Sequence, residues 1–165
     1  MRERTPFVTM EPLDERESLR WLDYRRDTLV FKVRGVVADG LDFSPVGSGT
    51  SLGGLIRHLY DVEAYWLQVI FNGKQASDHW DDPWQPNDDF SGEHLIGIFE
   101  DACATSREIE QQATSLDQRT VGSVTWADSA RPTLRWGMTH VIEEEARHNG
   151  HADLLREMVD GSVGD

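Results

Sequence analysis

The sequence predicts an all-α fold, a four-helix bundle, from three observations. Four stretches of the 165-residue chain carry apolar residues three and four positions apart, which is the period of an amphipathic helix. Clusters of Gly, Pro and Asp separate these stretches. Only TVGSVTW, residues 120–126, resembles a strand, and one strand cannot form a sheet. The four apolar stripes are therefore expected to be buried by packing helices on helices.

Four helices are predicted, in chain order, at residues 14–37, 51–72, 91–115 and 133–160. ADG, residues 38–40, interrupts the first helical pattern, and Thr50 or Ser51 supplies an N-cap for the second. The third begins near Ser91, and the fourth ends before Gly161, a residue type that commonly follows the last turn of a helix. Helices of this size are about 33 to 42 Å long, which suits a bundle.

Length and composition restrict the class of protein. A chain of 165 residues has the size of one ordinary domain with one hydrophobic core, so residues 1–165 are predicted to form a single domain. The net charge of -14 repels phosphate backbones and anionic membrane surfaces, which argues against nucleic acid and membranes as partners. The single cysteine, Cys103, is predicted to be a half-buried structural residue. With no disulfide and no apolar leader, the chain is expected to be cytoplasmic.

The fourth predicted helix carries a stripe of ionisable side chains. At about 100° per residue, His140, Glu144, His148 and His151 fall on one face. The apolar residues of the same helix place Glu144 and His148 on the core-facing side and direct Glu145 elsewhere. Since an unpaired buried carboxylate is costly, Glu144 needs a donor or a cation. Side chains four residues apart lie one turn apart, so Glu144 and His148 can bind the same ion.

His58 is the candidate third ligand, because it is the one histidine of the second helix and interrupts an apolar stripe. Two imidazoles and a carboxylate suit Zn²⁺, Ni²⁺ or Fe²⁺ and leave coordination positions open for water or substrate. His140 and His151 are then candidates for orienting a ligand by hydrogen bond or for acting as a base. Without an ion, His58 is an ordinary boundary residue and the stripe of the fourth helix is a solvated face.

Two segments of the sequence are distinctive, TSLGGLIRHLYDVEAYWL at 50–67 and EEARHNGHADLLREMVDG at 144–161. They resemble the DinB-like superfamily of metal-binding four-helix bundles. They are most similar to the branch near the mycothiol-dependent maleylpyruvate isomerases and related thiol S-transferases, and the likeness covers nearly the whole chain. The resemblance implies an up-down-down-up order of helices, with a long connection between the second and the third, and a homodimer.

The resemblance also implies a metal site and an activity. It assigns a divalent ion, zinc or nickel, to His58, Glu144 and His148. Many superfamily members have histidine at the position of Glu144, whereas the mycothiol branch is similar to this chain in using glutamate. Residues 148–151 read HNGH where HRGQ is common in the superfamily, so Asn149 replaces the arginine and His151 replaces the glutamine. The implied function is activation of a mycothiol-like thiol, or of water, for S-transfer to a small substrate or for its hydrolysis. The competing interpretation is a non-catalytic, metal-stabilised homodimer with a binding or stress-response role.

Overall fold

A computed structural model describes residues 14, 16, 19–75, 82–84 and 91–164 of the chain. Within these ranges the regular elements are helical, and the only β-pairing consists of two isolated bridges. The elements are α1 (Arg20–Val33), α2 (Ala38–Asp42), α3 (Leu52–Glu63) with a π-helical continuation (Ala64–Phe71), α4 (Gly92–Gln112), a short 3-10 helix (Thr125–Ala127) and α5 (Leu134–Asp160). The all-α prediction is confirmed. None of the described helices is both long and apolar enough to cross a bilayer.

Contacts between the four long helices fix their directions. The contacting pairs are Arg25–Asn149 and Lys32–Asp153 for α1 and α5, His58–His148 and Trp66–His140 for α3 and α5, and Asp23–Arg107 and Val33–Gly92 for α1 and α4. Between α1 and α5 the residue numbers of successive pairs rise together. Between α3 and α5, and between α1 and α4, the numbers rise on one helix while they fall on the other. α1 and α5 are therefore parallel, and α3 and α4 run antiparallel to them. This confirms the up-down-down-up bundle; most of the connection before α4 lies outside the described residues.

Three of the long helices begin at a side-chain cap. The hydroxyls of Ser51, Ser91 and Thr133 accept hydrogen bonds from backbone N–H groups three residues onward, at 3.1, 3.2 and 3.3 Å. Each bond satisfies one of the N–H groups that a helix leaves without an internal partner. Gly161 ends α5 with a φ of 77°, a left-handed conformation that glycine adopts without steric cost. These starts and this stop agree with the signals in the sequence.

The first helix is shorter than the predicted span at both ends. Upstream, the Asp14 side chain accepts a hydrogen bond from the Arg16 backbone N–H at 2.8 Å, which makes a local turn before α1. At the other end Gly35 has a φ of 76° and stops α1, so that ADG belongs to the separate helix α2. α4 also ends before the predicted residue 115, because Ala113 adopts an extended backbone.

The second long helix changes geometry after Glu63. From Ala64 to Phe71 its turns widen to π-helix, which the apolar spacing does not predict. The carbonyls of Ile70 and Phe71 accept hydrogen bonds from the backbone N–H groups of Gly122 and Val121 at 2.8 and 3.0 Å. The loop before α5 is thereby held against the end of this segment. Single π-helical turns are found frequently at functional sites.

A buried network of charges joins α1, α3 and α4. The Arg26 guanidinium donates from Nε and Nη2 to the two carboxylate oxygens of Glu63, at 2.6 and 2.8 Å. Both residues are almost completely shielded from solvent. Asp23 accepts from Arg26 at 3.1 Å and from Arg107 at 2.6 Å. The bidentate pair fixes the rotation of α3 about its axis, because turning the helix would separate two charges in the interior.

The predicted outward orientation of Glu145 is wrong. Its side chain is fully buried, since α5 packs against both α1 and α3 and so buries a wider arc than one apolar stripe. Burial, and then the nearby Glu63 carboxylate, raise the pKa of Glu145 well above its ordinary value. Neither of its carboxyl oxygens has a hydrogen-bond partner among the described residues. Burial therefore favours the protonated, uncharged form of Glu145.

Candidate metal centre

The structure brings His58, Glu144 and His148 together between α3 and α5. One donor atom from each lies within 4.8 Å of the others. Glu144 Oε2 is 3.6 Å from His58 Nε2 and 3.2 Å from His148 Nε2. The two imidazole centroids are 4.8 Å apart, with the rings nearly perpendicular. These are the three residues that the sequence predicts as ligands, and they are neighbours in space.

The donor set fits a divalent ion. Two donors bound at about 2.1 Å in tetrahedral geometry lie about 3.4 Å apart. The measured separations of 3.2 and 3.6 Å from the Glu144 oxygen lie on either side of that distance. The side chains of His58, Glu144 and His148 are 30%, 15% and 12% exposed, so solvent reaches the group. Among the described residues no fourth donor completes this cluster.

His148 is held in a form that suits a ligand. Burial, and then the neighbouring His58, lower the pKa of His148 to about 4, so its imidazole is neutral at neutral pH. Its Nδ1 lies 3.2 Å from Nδ1 of His151. When His148 donates this hydrogen bond, its Nε2 lone pair faces the Glu144 carboxylate. A cation between the two groups would stabilise that arrangement, and His151 would fix the orientation of the ring.

His140 lies on the opposite side of Glu144 from His148. Its Nε2 is 3.8 Å from Glu144 Oε1, and its Nδ1 is 3.9 Å from Glu143 Oε2. These three residues form a second group whose donors converge, and it shares Glu144 with the first group. Glu143 is far more exposed than Glu144, so its charge is better screened by water. His140 and Arg147 therefore both lie beside Oε1 of Glu144, the oxygen on the side away from His58 and His148.

An aromatic wall that the sequence reasoning missed flanks His140. The His140 ring stacks on Trp136 at 5.3 Å between centroids and meets Trp66 edge-on at 4.9 Å. Trp66 also lies 6.3 Å from Trp126. Trp66 belongs to the π-helical segment, so the widened turns carry one of the side chains that form this wall. The four-residue spacing of Trp136 and His140 on one helix is the signal in the sequence that indicates their contact.

Trp84 covers His58 from the other direction. The ring centroids of the two residues are 5.7 Å apart. The segment is held by a hydrogen bond of 3.0 Å from Arg57 Nε to the carbonyl of Pro83. A Cβ atom on Gly54 would lie 2.7 Å from the Trp84 ring, so glycine at this position lets the tryptophan pack on α3. The connection before α4 therefore contributes a side chain to the edge of the site.

Cys103 lies in the interior, outside the cluster of candidate ligands. It is 2% exposed, more deeply buried than the half-buried state that the sequence predicts. Burial, and then the Glu63 carboxylate, raise the pKa of the Cys103 thiol well above its ordinary value of 9.0. The thiolate is the nucleophilic form of cysteine. The one cysteine of the chain is therefore unsuited to act as a nucleophile.

Iodoacetamide is expected to leave Cys103 unmodified in the folded protein, even at a pH near the ordinary thiol value of 9.0. Below its raised pKa the thiol stays protonated, and burial also blocks the reagent. Mass spectrometry of the intact protein measures the labelled fraction, with a urea-unfolded sample as the control that labels fully. Labelling of the folded protein at the rate of the unfolded one would contradict the buried position.

Comparison with known proteins identifies the family. The profile of the mycothiol S-transferase family matches residues 18–161 of the chain. A crystal structure of a conserved protein from Enterococcus faecalis is similar with a TM-score of 0.67, covering 92% of this chain and 99% of that chain. At 12% sequence identity this likeness shows the fold alone. No curated protein matches the chain. Because the family match spans all four long helices, the chain belongs to the mycothiol S-transferases, a DinB-like family.

Proposed function

We propose that the chain is a metal-dependent enzyme that transfers a mycothiol-like, low-molecular-weight thiol to an electrophilic small molecule. His58, Glu144 and His148 are the proposed ligands of the ion, with Zn²⁺ or Ni²⁺ as the candidates. The observation that carries the proposal is the convergence of two imidazoles and one carboxylate from two helices. Membership of the mycothiol S-transferase family supports the choice of thiol.

Each residue around the ion has a proposed role. A bound divalent ion would lower the pKa of a thiol and so favour the thiolate. His58, Glu144 and His148 hold the ion, and the open side of the cluster admits the thiol. His151 positions the His148 ring through the hydrogen bond between their Nδ1 atoms. His140 positions Glu144 from the side of Oε1.

The arrangement of donors favours catalysis over a purely structural ion. A structural site is closed by four protein ligands, whereas a catalytic site keeps a position open. His151 is the side chain that could close the shell, but its Nδ1 contacts His148 and it is not part of the converging group. The exposed fraction of His58 also keeps the cluster in contact with solvent. The homodimer and the cytoplasmic location stay predictions.

The proposal is tested by following thiol consumption. The test uses mycothiol and a six-carbon α,β-unsaturated aldehyde (an enal) as a representative electrophile. With the Zn²⁺- or Ni²⁺-loaded protein, thiol is expected to be consumed faster than in the uncatalysed reaction. Chelation is expected to abolish the difference, and added metal to restore it. His58→Ala should reduce the rate to background, while His94→Ala, on the exposed start of α4, serves as the matched control. Equal rates with and without metal, or equal rates for His58→Ala and the unmodified protein, would contradict the proposal.

A further inference from the structure

A cavity of about 280 Å³ lies between the C-terminal half of α5 and the segment that joins α2 to α3. Its walls are formed by seven residues, which are Pro45, Val46, Thr50, His151, Leu154, Leu155 and Met158. Thr50 and His151 are the polar ones, and there is no Asp, Glu, Lys or Arg among the seven. In a chain with a net charge of -14, this is an uncharged wall within an acidic molecule. The chemistry of the cavity suits a neutral, apolar ligand.

The cavity adjoins the candidate metal centre at His151. This residue lines the cavity, and its Nδ1 lies 3.2 Å from Nδ1 of His148. Met158 marks the other end, seven residues further along α5, which is a distance of about 10 Å at the rise of an α-helix. An extended molecule in the cavity would therefore have one end beside His151, the neighbour of the proposed ligand His148, and the other beside Met158.

The apolar walls are open to solvent in the free protein. Val46, Leu154 and Met158 are 51%, 59% and 61% exposed. A ligand that covers them removes apolar surface from water, which favours binding. A second copy of the chain is a poorer occupant, since seven residues lining a concave site are far fewer than the roughly 20–30 per side of a standard protein interface.

We infer that this cavity binds the apolar tail of the electrophilic substrate, which is therefore an uncharged molecule with an alkyl chain. The inference rests on the proposed function, because the reactive end of that molecule is the acceptor of the thiol. An α,β-unsaturated aldehyde is a representative of the class. The thiol sulfur forms a bond to the β-carbon, the electron pair of the C=C bond moves to the α-carbon, and the α-carbon takes the proton that the thiol loses. The addition needs no oxidant or reductant.

Unreactive alcohols test the cavity without any catalysis. Straight-chain primary alcohols of four to eight carbons are titrated into protein labelled with ¹³C at the methionine methyl groups, and the dissociation constant is read from the Met158 signal. Affinity is expected to rise by about fourfold for each methylene that the cavity buries. The Met138 methyl group is the internal reference, because this residue is 0% exposed in the core. An affinity that does not depend on chain length would overturn the inference.

Leu154→Gln is the variant that distinguishes binding in this cavity from binding to other apolar surface. Glutamine is a good helix former, and Leu154 is 59% exposed, so the fold is expected to persist. The variant should lose the dependence of affinity on chain length. Phe31→Gln is the matched control, because Phe31 is also 59% exposed on a helix but does not line this cavity. Equal losses in the two variants would contradict the assignment, as would a change of sedimentation coefficient from dimer to monomer with Leu154→Gln.

Thiol transfer to enals of four, six and eight carbons completes the test. The kcat/KM of the metal-loaded protein is expected to rise with chain length, and Leu154→Gln should flatten the series, whereas Phe31→Gln should keep the dependence on chain length of the unmodified protein. A flat series in the unmodified protein would overturn the assignment of the tail to this cavity. If no enal accepts thiol while the alcohols still bind as expected, the proposed function fails and the apolar site stands.

Discussion

Replacing Arg26 by methionine is expected to lower the free energy of unfolding by about 3–5 kcal/mol. The change removes the bidentate partner of Glu63, which is 0% exposed, and leaves a carboxylate without a counter-charge in the core. Urea unfolding followed by circular dichroism measures the effect. Because Glu63 ends α3, the same loss should loosen the helix that carries His58.

Two further variants make this result specific. Arg25→Met is the matched control, since the Arg25 guanidinium lies 5.8 Å from the Trp21 ring at the partly exposed surface, a contact worth about 0.5–1 kcal/mol. The double variant Arg26→Met with Glu63→Leu removes both buried charges and is expected to recover most of the stability. If Arg26→Met costs no more than Arg25→Met, the buried pair does not have the role assigned to it.

Replacing Glu144 by glutamine is expected to weaken Zn²⁺ binding by more than about 100-fold, since the loss of an outer-shell partner alone costs about 10- to 100-fold. The amide keeps the size of the side chain but loses its charge. A competition titration with a chromophoric chelator measures the affinity. In the unmodified protein, Zn²⁺ at about 100 times its dissociation constant should add about 2.7 kcal/mol to the free energy of unfolding. That gain should fall to about 0.4 kcal/mol or less in the variant.

Glu143→Gln is the control for the metal-binding prediction. Glu143 is the preceding glutamate and forms an ion pair with Arg147 at the surface, so its removal should leave the affinity close to that of the unmodified protein. A loss in Glu143→Gln as large as in Glu144→Gln would instead assign the ion to the group of His140, Glu143 and Glu144. Unchanged affinity in Glu144→Gln would contradict both groups.

Most of the fold could be predicted because its signals are local. Caps at Ser51, Ser91 and Thr133 and the glycine at 161 depend on residues within one or two turns, and they mark the helix ends in the sequence. The π-helical turns after Glu63 do not follow from the apolar spacing, and the last two carbonyls of that segment accept hydrogen bonds from a loop some fifty residues away. Similarly, nothing near Arg26 in the sequence indicates that its partner lies on another helix.

The candidate site was predictable as a set of residues and not as a geometry. The spacing of Glu144 and His148 indicates a shared ion, and His58 stands out within its apolar stripe. The helical wheel assumed one buried face and so misplaced Glu145, because a bundle helix contacts two neighbours. The position of Trp66 beside His140 depends on how α5 and the π-helical segment meet, which no single-helix pattern describes.

The burial of Cys103 bears on how long such a protein stays active. Reagents that react with thiols inactivate many proteins by modifying an accessible sulfhydryl. Here the single cysteine is sealed in the interior of the bundle, next to the Arg26–Glu63 pair. Under the proposed thiol transfer, an electrophilic substrate would meet only the sulfhydryl of the incoming thiol, so repeated turnover would carry little risk of modifying Cys103.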